Sequence, residues 1–311
     1  MTVMRCSKVL DYTPRARKVL ECSSQEAARL NQTQIGTEHL LIALIKEQDC
    51  IAIRLLNTLG VSAQKLYTEL LAAMGQCRSE LCQEPGERIL GELKKALAAD
   101  RPSRFFRLLH SAGLLQDIFP EIHALIGKTQ PEVYHPEGDA FEHVMLIVDE
   151  VAGRTENITA RFASLCHDLG KGVTPEEMLP HHYGHEVKGL EVLAGWNRRV
   201  TLPSAWLKAA RFIISQHMRA PRLSKPPKIC ELLLMMKAVA AELSISDIKI
   251  IIGADNKGLP PYLEHAEEII SAMSEVSGSD APRGLTGRKI GDWVKGQQLE
   301  ICKRMLAQCR A

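Results

Sequence analysis

The apolar residues of this chain recur at three- and four-residue steps along nearly its whole length. No region alternates apolar and polar residues between hairpin signals, and only residues 248–252 are β-branched enough to suggest a strand. A chain with this spacing buries its apolar stripes by packing helix against helix. We therefore expect an all-α protein, whose 311 residues form about two domains.

Local signals divide the chain. Pro14 behind Thr13 suits a helix start, and Gly36 and Thr37 precede a helix that is predicted to be buried. Residues 59–62 indicate the end of one helix and the N-cap of the next. A polar stretch follows, so we predict a helical repeat over 1–78, a linker over 79–88 and a second domain over 89–311, with its core at about 130–270. Further helix-ending signals stand at Gly113, Gly153, Gly170, Pro203 and Gly253, and residues 277–291 are predicted to form a loop before a last helix.

Composition excludes several classes of protein. The formal charge of +2, from 39 basic and 37 acidic residues, is too small for a general nucleic-acid packager. The nine cysteines include no CxxC pair and the first ten residues have no signal-peptide core, which favours free thiols in a reducing compartment. The longest apolar stretch, residues 232–241, is far shorter than the roughly 20 residues of a membrane span. We expect a cytoplasmic protein without a membrane segment.

The adjacent residues His167 and Asp168 are the main candidates for a metal-binding or catalytic role. The helix before them, over about 158–169, is apolar nearly all round and is therefore predicted to be buried. An imidazole and a carboxyl group in a core are costly unless they are paired or bind a metal ion. Nine of the eleven histidines lie between residues 110 and 217, so further ligands are available nearby.

Several other residues are candidate ligands. His143 lies at the margin of an apolar helix stripe with Asp139 as its cap, and Asp255 closes a hydrophobic run where an acid is otherwise unexpected. His185 and His217 stand beside small residues near loops, and each alone is also compatible with a structural histidine. Mixed imidazole and carboxylate ligands suit a divalent ion such as Mn²⁺, Fe²⁺, Co²⁺, Ni²⁺ or Mg²⁺. Such an ion supplies hydroxide near neutral pH and polarises a phosphoryl oxygen.

Positive charge is concentrated in one segment. Residues 198–237 contain nine basic side chains, including Arg219 and Arg222, against the single acid Glu231. Either an anionic substrate or a solvated basic surface accounts for this excess. Lys171, three residues after Asp168, is compatible with phosphate binding and equally with a favourable position in the last turn of a helix.

The residues His143, His167-Asp168 and Asp255, in that order, resemble the H…HD…D pattern of the HD phosphohydrolase superfamily. Residues from about 86 to 310 resemble the C-terminal part of bacterial CCA-adding tRNA nucleotidyltransferases more closely. The matching segments lie at residues 84–89, 113–121, 134–137, 165–172, 182–186 and 254–255. The resemblance implies an all-helical domain that, in some bacterial members, hydrolyses phosphomonoesters, 2′-nucleotides and 2′,3′-cyclic phosphates with a divalent metal.

The resemblance also implies residue roles. His143, His167, Asp168 and Asp255 would bind a first metal ion, and His185 and His217 a second one, with Asp168 bridging. If the protein is a phosphohydrolase, we expect Asp168 and Lys171 to be the catalytic residues, and we expect the substrate to contact Lys171, His182, Arg219 and Arg222. His135 and His181 would lie in the outer shell or face the substrate.

Before residue 86, nothing resembles the nucleotidyltransferase head of that family, so we expect no CCA addition. Residues 10–75 instead resemble one repeat of the Clp ATPase N-terminal domain, through Thr13-Pro14-Arg15-Ala16, the string Ile35-Gly36-Thr37-Glu38-His39 and Leu59-Gly60-Val61. The resemblance implies a protein partner recruited at Glu38, and a single repeat suggests a homodimer. There is no Walker motif and hence no predicted ATPase.

The preferred hypothesis is a metal-dependent phosphohydrolase for a nucleotide, a cyclic phosphate or an RNA end. The alternatives are a non-catalytic RNA-binding or tRNA-binding module, which salt-dependent RNA affinity without hydrolysis would reveal, and a Clp-type partner-recruiting adaptor. The intact set of candidate ligands argues against the adaptor.

Overall fold

The computed structural model describes residues 13–29, 37–47, 51–62, 65–66, 68–69, 85–256 and 258–309. Over these residues there is no strand, only an isolated β-bridge between Thr129 and Asp139, and the predicted all-α class is confirmed. No helix within these ranges is long and apolar enough to cross a membrane. The helices are α1 Pro14–Arg29, α2 Thr37–Lys46, α3 Ile51–Thr58, α4 Gly86–Ala98, α5 Ser103–Ser111, α6 Leu115–Ile118, α7 Pro120–His123, α8 Ala140–Ala152, α9 Ile158–Cys166, α10 His185–Arg199, α11 Ser204–Gln216, α12 Pro226–Val239, α13 Ile245–Asn256, α14 Pro261–Glu264, α15 Ala266–Ser274 and α16 Arg288–Gln308.

The chain divides into two compact units. The first comprises Met1–Glu84 with Arg104–Ile118, and the second comprises Pro85–Ser103 with Phe119–Ala311. In the first unit, α1 packs on α2, and α2 also contacts α3. The buried Glu26 carboxylate of α1 pairs with the Lys46 ammonium of α2 at 2.5 Å, which fixes the two helices in register.

Short capping signals position the helices of the first unit as predicted. The Thr13 hydroxyl accepts a hydrogen bond from the Ala16 amide at 3.2 Å, so Thr13 caps a helix whose first residue is Pro14. After α3, Gly60 takes a left-handed φ of 76° and Ser62 accepts from the Lys65 amide at 2.9 Å. The stop and the new cap predicted over 59–62 are therefore confirmed.

Helix α5 joins the first unit although the sequence assigns it to the second domain. Arg104, Arg107 and Leu108 of α5 line one cavity of about 520 Å³ together with Gln25 and Lys46. Hydrophobic periodicity predicts such a helix but does not show which neighbouring helices it packs against, so the sequence alone assigns α5 by its position in the chain. The predicted domain boundaries at 78 and 89 stay a prediction.

Helix α9 is the centre of the second unit. It packs against α4, α8, α11 and α13, and its residues from Ala160 to Cys166 are all buried. Helices α12, α15 and α16 pack on one another beside this centre, around a continuous apolar core. The five described cysteines are free thiols, as predicted, and Cys166, Cys230 and Cys302 are buried.

One residue of α9 departs from the predicted apolar surface. The Arg161 side chain is 1% exposed and donates to the carbonyl oxygens of Leu97, Ala99, Ala152 and Thr155 at 2.8 to 3.0 Å. These carbonyls lie at the C-terminal ends of α4 and α8, where a helix lacks its own donors. Arg161 therefore satisfies two helix ends from inside the core.

Two predicted loop signals differ from the structure. Gly253 lies inside α13, which continues to Asn256, because a glycine within a helix is tolerated where its neighbours pack around it. The prediction of a helix end there is wrong, and the continuation places Asp255 on the last turn of α13. The last helix begins at Arg288, inside the predicted loop over 277–291.

Candidate metal centre

Five helix ends meet at one place in the second unit. Asp168 is the second residue after α9, His143 lies in the first turn of α8, and Asp255 lies in the last turn of α13. His185 begins α10 and His217 follows α11. The C-terminal ends of α9, α11 and α13 carry a partial negative charge, which favours a cation between them.

The first group of side chains surrounds one oxygen of the Asp168 carboxylate. The His167 Nε2 atom lies 3.2 Å from Asp168 Oδ2, and His143 Nε2 lies 3.7 Å from the same oxygen. His143 Nε2 also lies 3.1 Å from Asp255 Oδ1 and 3.3 Å from His167 Nε2. These four residues, predicted as first-metal ligands, are thus brought within mutual contact.

The second group surrounds the other oxygen. His185 Nε2 lies 3.3 Å and His217 Nε2 lies 3.4 Å from Asp168 Oδ1, and the two imidazole nitrogens are 3.3 Å apart. His143, His167 and Asp168 form one set of atoms close enough to share a metal ion, and Asp168, His185 and His217 form another. Asp168 is common to both sets.

The outer nitrogens of the histidines fix their orientation. The Nδ1 atoms of His167, His185 and His217 lie 2.7 to 3.1 Å from backbone carbonyl oxygens of residues 164, 182, 213 and 214. A carbonyl oxygen only accepts, so each Nδ1 carries a hydrogen and each ring turns its Nε2 atom inward. The site consequently contains converging Nε2 atoms.

Glu137 orients the fourth histidine, His143, and this role was not predicted from the sequence. Its Oε1 atom lies 2.6 Å from His143 Nδ1 and 3.2 Å from His135 Nδ1. Burial raises the pKa of the Glu137 carboxyl, but a backbone hydrogen bond and the neighbouring His143 lower it, and the net pKa falls below the ordinary value. A carboxylate behind a ligating imidazole raises the basicity of that ligand. Its place in the segment 134–137 was the signal that could have identified it.

The Asp168 carboxylate is the electrostatic centre of the site. Burial raises its pKa, but the Lys171 ammonium at 2.6 Å and His167 oppose this, and the net pKa lies well below the ordinary value. Asp168 is therefore ionised. Although it is 1% exposed, neither of its oxygens accepts a hydrogen bond of good geometry within the described part of the chain.

These residues fit a divalent cation. When unprotonated, Nε2 atoms that face one another across 3.3 Å repel, and a buried carboxylate that accepts no hydrogen bond of good geometry is costly. A cation that accepts the lone pairs and the carboxylate oxygens removes both penalties. The combination of imidazole and carboxylate ligands matches Mn²⁺, Fe²⁺, Co²⁺, Ni²⁺ or Mg²⁺ as predicted, and it does not distinguish among them.

A cavity of about 530 Å³ opens onto the centre. Asp168, Asp255, Lys171 and His185 line its base, and Tyr134 and Tyr183 line its mouth. Within the second unit, these tyrosines are the two largely exposed aromatic side chains among the described residues, at 74% and 70%.

The predicted substrate contacts lie in different surroundings. Lys171 is buried at the cavity, and the exposed Arg222 lines it. His182 also lines it, but its ring nitrogens already lie 2.8 Å from Thr174 Oγ1 and 2.9 Å from the Thr129 carbonyl. Arg219 instead lies 3.5 Å from Glu231 and donates to Gln216 at 2.9 Å. Their roles in substrate binding stay predictions.

The remaining predicted contacts lie elsewhere. His135 packs edge-on against His143 with ring centres 4.6 Å apart, and His181 stacks on Tyr183 at 5.6 Å. Glu38 belongs to α2, and its side chain lies outside the described part of the chain.

The basic segment over 198–237 is partly neutralised by acids from outside it. Arg199 pairs with Glu121 at 2.7 Å and Lys208 with Glu242 at 2.5 Å. Lys228 pairs with Glu231 inside the segment at 2.9 Å. The charge excess counted along the sequence therefore overstates the positive charge presented at the surface.

Two protein families match separate parts of the chain. Residues 11–114 match the Clp repeat (R) N-terminal domain family, and residues 140–248 match the HD domain family. The two resemblances seen in the sequence are thereby confirmed. The Clp match extends past residue 75, where the sequence resemblance ended, and it includes α5.

The relatives are bacterial proteins named multifunctional CCA protein. The one from Mannheimia succiniciproducens is 34% identical over 61% of this chain and 48% of its own length. That from Shewanella denitrificans is 41% identical over 48% of this chain and 37% of its own, and that from Polaromonas naphthalenivorans is 32% identical over 72% and 56%. The chain thus spans about half the length, or less, of these relatives. Whether it lacks CCA addition, as expected, stays a prediction.

Proposed function

We propose that this protein is a metal-dependent phosphohydrolase that cleaves a phosphomonoester or a cyclic phosphodiester of a nucleotide or of an RNA end. The observation that carries the proposal is the Asp168 carboxylate. It is buried, its pKa lies well below the ordinary value, and it is shared between two groups of histidines whose Nε2 atoms face it. Imidazole and carboxylate groups that converge in this way suit a divalent metal ion.

The two groups define which residues would hold metal ions. His143, His167, Asp168 and Asp255 would hold one ion, and Asp168, His185 and His217 would hold another. Divalent ions in these positions supply Lewis acidity toward a phosphoryl oxygen and toward a water molecule. Whether one or two ions bind is open, and Asp168 is required in either case.

Lys171 places a positive charge at the base of the cavity. Its ammonium is 5% exposed, lies 2.6 Å from Asp168 Oδ2 and lines the cavity. A fixed ammonium in a site of low dielectric constant stabilises negative charge that develops on phosphoryl oxygens. Arg222, which is exposed and forms no ion pair within the described part of the chain, adds a second positive charge at the same cavity.

The mouth of the cavity favours a nucleotide over a small aliphatic ester. Tyr134 and Tyr183 lie on two different loops and leave most of their ring surface exposed at the cavity. A nucleobase stacks on such rings without sequence-specific hydrogen bonds. His182 bridges Thr174 and Thr129, so the loop that carries Tyr183 is held in place.

Hydrolysis of a panel of esters tests the proposal. The purified protein would be assayed with nucleoside 2′- and 3′-monophosphates, 2′,3′-cyclic nucleotides and a simple aryl phosphate, each with Mn²⁺, Co²⁺, Ni²⁺ and Mg²⁺. We expect turnover of nucleotide esters with at least one metal ion, and its loss in Asp168→Asn. The matched control is Asp247→Asn, a buried acid that binds Thr155 and Asn157 away from the cavity. Turnover retained in Asp168→Asn would refute the assignment.

Nucleotide addition is tested in the same preparation. Incubation with a tRNA that lacks its 3′ end, together with CTP and ATP, would show no extension if the chain is a hydrolase alone. Extension of the tRNA would overturn that part of the proposal without affecting the hydrolytic site.

A protein partner at Glu38 and a homodimer are further predictions for the first unit. Light scattering across micromolar concentrations tests the dimer, and a strictly monomeric mass would contradict it. Pull-down with Glu38→Ala as the matched control tests whether any partner depends on that position.

A further inference from the structure

Gln130 lies beside the metal centre but outside the HD match that begins at residue 140. It belongs to the segment between α7 and α8, its amide N–H donates to the Gly138 carbonyl at 2.9 Å, and its side chain is 3% exposed. The side chain lines the same cavity as Lys171 and Asp168.

The neighbouring lysine fixes the orientation of the Gln130 side-chain amide. The Lys171 ammonium lies 2.5 Å from Gln130 Oε1. An ammonium group only donates, so the oxygen of the amide must face it and the nitrogen must face away. The Nε2 group of Gln130 is buried and has no hydrogen-bond acceptor within the described part of the chain.

A buried amide N–H₂ without an acceptor is costly and uncommon in folded proteins. The Lys171 ammonium forms an ion pair with Asp168 and donates one hydrogen bond to Gln130 Oε1, which leaves further N–H donors of its three. Both residues line the cavity, so a ligand there that offers acceptors only would satisfy their remaining donors.

We propose that Gln130 and Lys171 together bind a non-bridging oxygen of the substrate phosphoryl group. A phosphate ester has acceptor oxygens and negative charge, which match an unpaired amide donor beside an ammonium. A cation is excluded as the occupant, since both groups would repel it. Gln130 is on this basis a substrate-binding residue, and this inference depends on the proposed hydrolysis only for the identity of the phosphate group.

Two variants separate the donor from the rest of the side chain. Gln130→Glu keeps an oxygen for Lys171 and replaces the amide donor with an acceptor of similar shape. Gln130→Met fills the same space without either group. The matched control is Gln298→Glu, a glutamine whose Nε2 already donates to the Met273 carbonyl on another face of the second unit.

The first measurement is the affinity for inorganic phosphate, by calorimetry on the metal-loaded protein. We expect both Gln130 variants to weaken phosphate binding by roughly tenfold to a hundredfold, as for the loss of a hydrogen bond to a charged group. Metal content should equal that of the wild type in both variants. The melting temperature should be unchanged in Gln130→Glu and should be unchanged or higher in Gln130→Met. Gln298→Glu should leave phosphate affinity unchanged.

The second measurement is steady-state hydrolysis. A phosphate-binding role predicts that KM rises in the Gln130 variants, whereas a residue that only supports the fold would alter stability and metal content. If phosphate binds the wild type through Gln130 but no ester is hydrolysed, the proposed function fails and this inference stands. Phosphate affinity in Gln130→Glu equal to that of the wild type would overturn the inference, whatever the hydrolytic activity.

Discussion

Gly170 lies against the carbonyl of His185 with no room for a side chain between them. A Cβ atom at this position would overlap the His185 oxygen and stand 2.6 Å from the amide nitrogen of Gly189. The turn that follows the His167-Asp168 pair is therefore seated directly on the first turn of α10. This contact sets the distance between Asp168 and His185.

Gly170→Ala should disrupt the metal centre. The added methyl group must push α10 away from the turn over Leu169–Val173, and His185 Nε2 then leaves its position 3.3 Å from Asp168 Oδ1. We expect lower metal content and a loss of turnover, measured by elemental analysis and by the ester assay. Gly195→Ala is the control on the same helix, since its methyl group would meet only the Arg198 side chain at 3.7 Å. This control should stabilise the protein by about 0.5–1 kcal/mol, and equal metal content in both variants would contradict the prediction.

The sequence predicted the parts of the site that lie on helices with a clear pattern. His167 and Asp168 follow an apolar helix, and Asp255 follows a hydrophobic run. The sequence therefore indicates both that these positions are buried and that their polar side chains need a partner. Pro14 starts a helix and Ser62 caps one, as predicted, because both effects depend only on residues within one helical turn.

Other residues could not be predicted because their roles depend on distant neighbours. Gln130 and Glu137 lie in a segment without periodicity, and their significance arises only when Lys171 and His143 are brought beside them. Arg161 shares a helix with apolar residues, and its partners come from two other helix ends. Pattern reasoning has no access to such contacts.

Glu137→Gln should weaken metal binding without unfolding the protein. The substitution keeps the shape of the side chain but removes the negative charge that faces the Nδ1 atom of His143 at 2.6 Å. Removing such a partner of a ligating histidine costs roughly tenfold to a hundredfold in metal affinity or activity. Titration with Mn²⁺ followed by calorimetry would measure the change. Glu142→Gln, in the first turn of α8, is the control. Equal metal affinities in the two variants would contradict the role assigned to Glu137.

Removal of metal should lower the stability of the second unit. A cation that binds only the folded protein stabilises it by about 2.7 kcal/mol at a free concentration one hundred times its Kd. We expect addition of Mn²⁺ after chelation to raise the melting temperature of the wild type. In Asp168→Asn both groups of ligands lose their common carboxylate, so the response should vanish. A response of equal size in that variant would show that the stabilising ion binds elsewhere.

Arg161→Met should destabilise the fold more than any surface substitution. The change leaves four carbonyl groups at or just after the ends of α4 and α8 without this donor, and the two hydrogen bonds to Leu97 and Ala152 are fully buried, so unpaired polar groups remain in the core. We expect a loss of about 3–5 kcal/mol in the free energy of unfolding, measured by urea denaturation. Arg161→Lys should not restore stability, because a single ammonium cannot reproduce the planar fork that spans several acceptors. Arg154→Met is the control: the Arg154 side chain is 52% exposed and its one ion pair within the described residues is with Glu150 at 2.7 Å, so its loss should cost under about 0.5 kcal/mol. Similar unfolding midpoints for the Arg161 and Arg154 variants would show that the buried guanidinium does not hold these helix ends together.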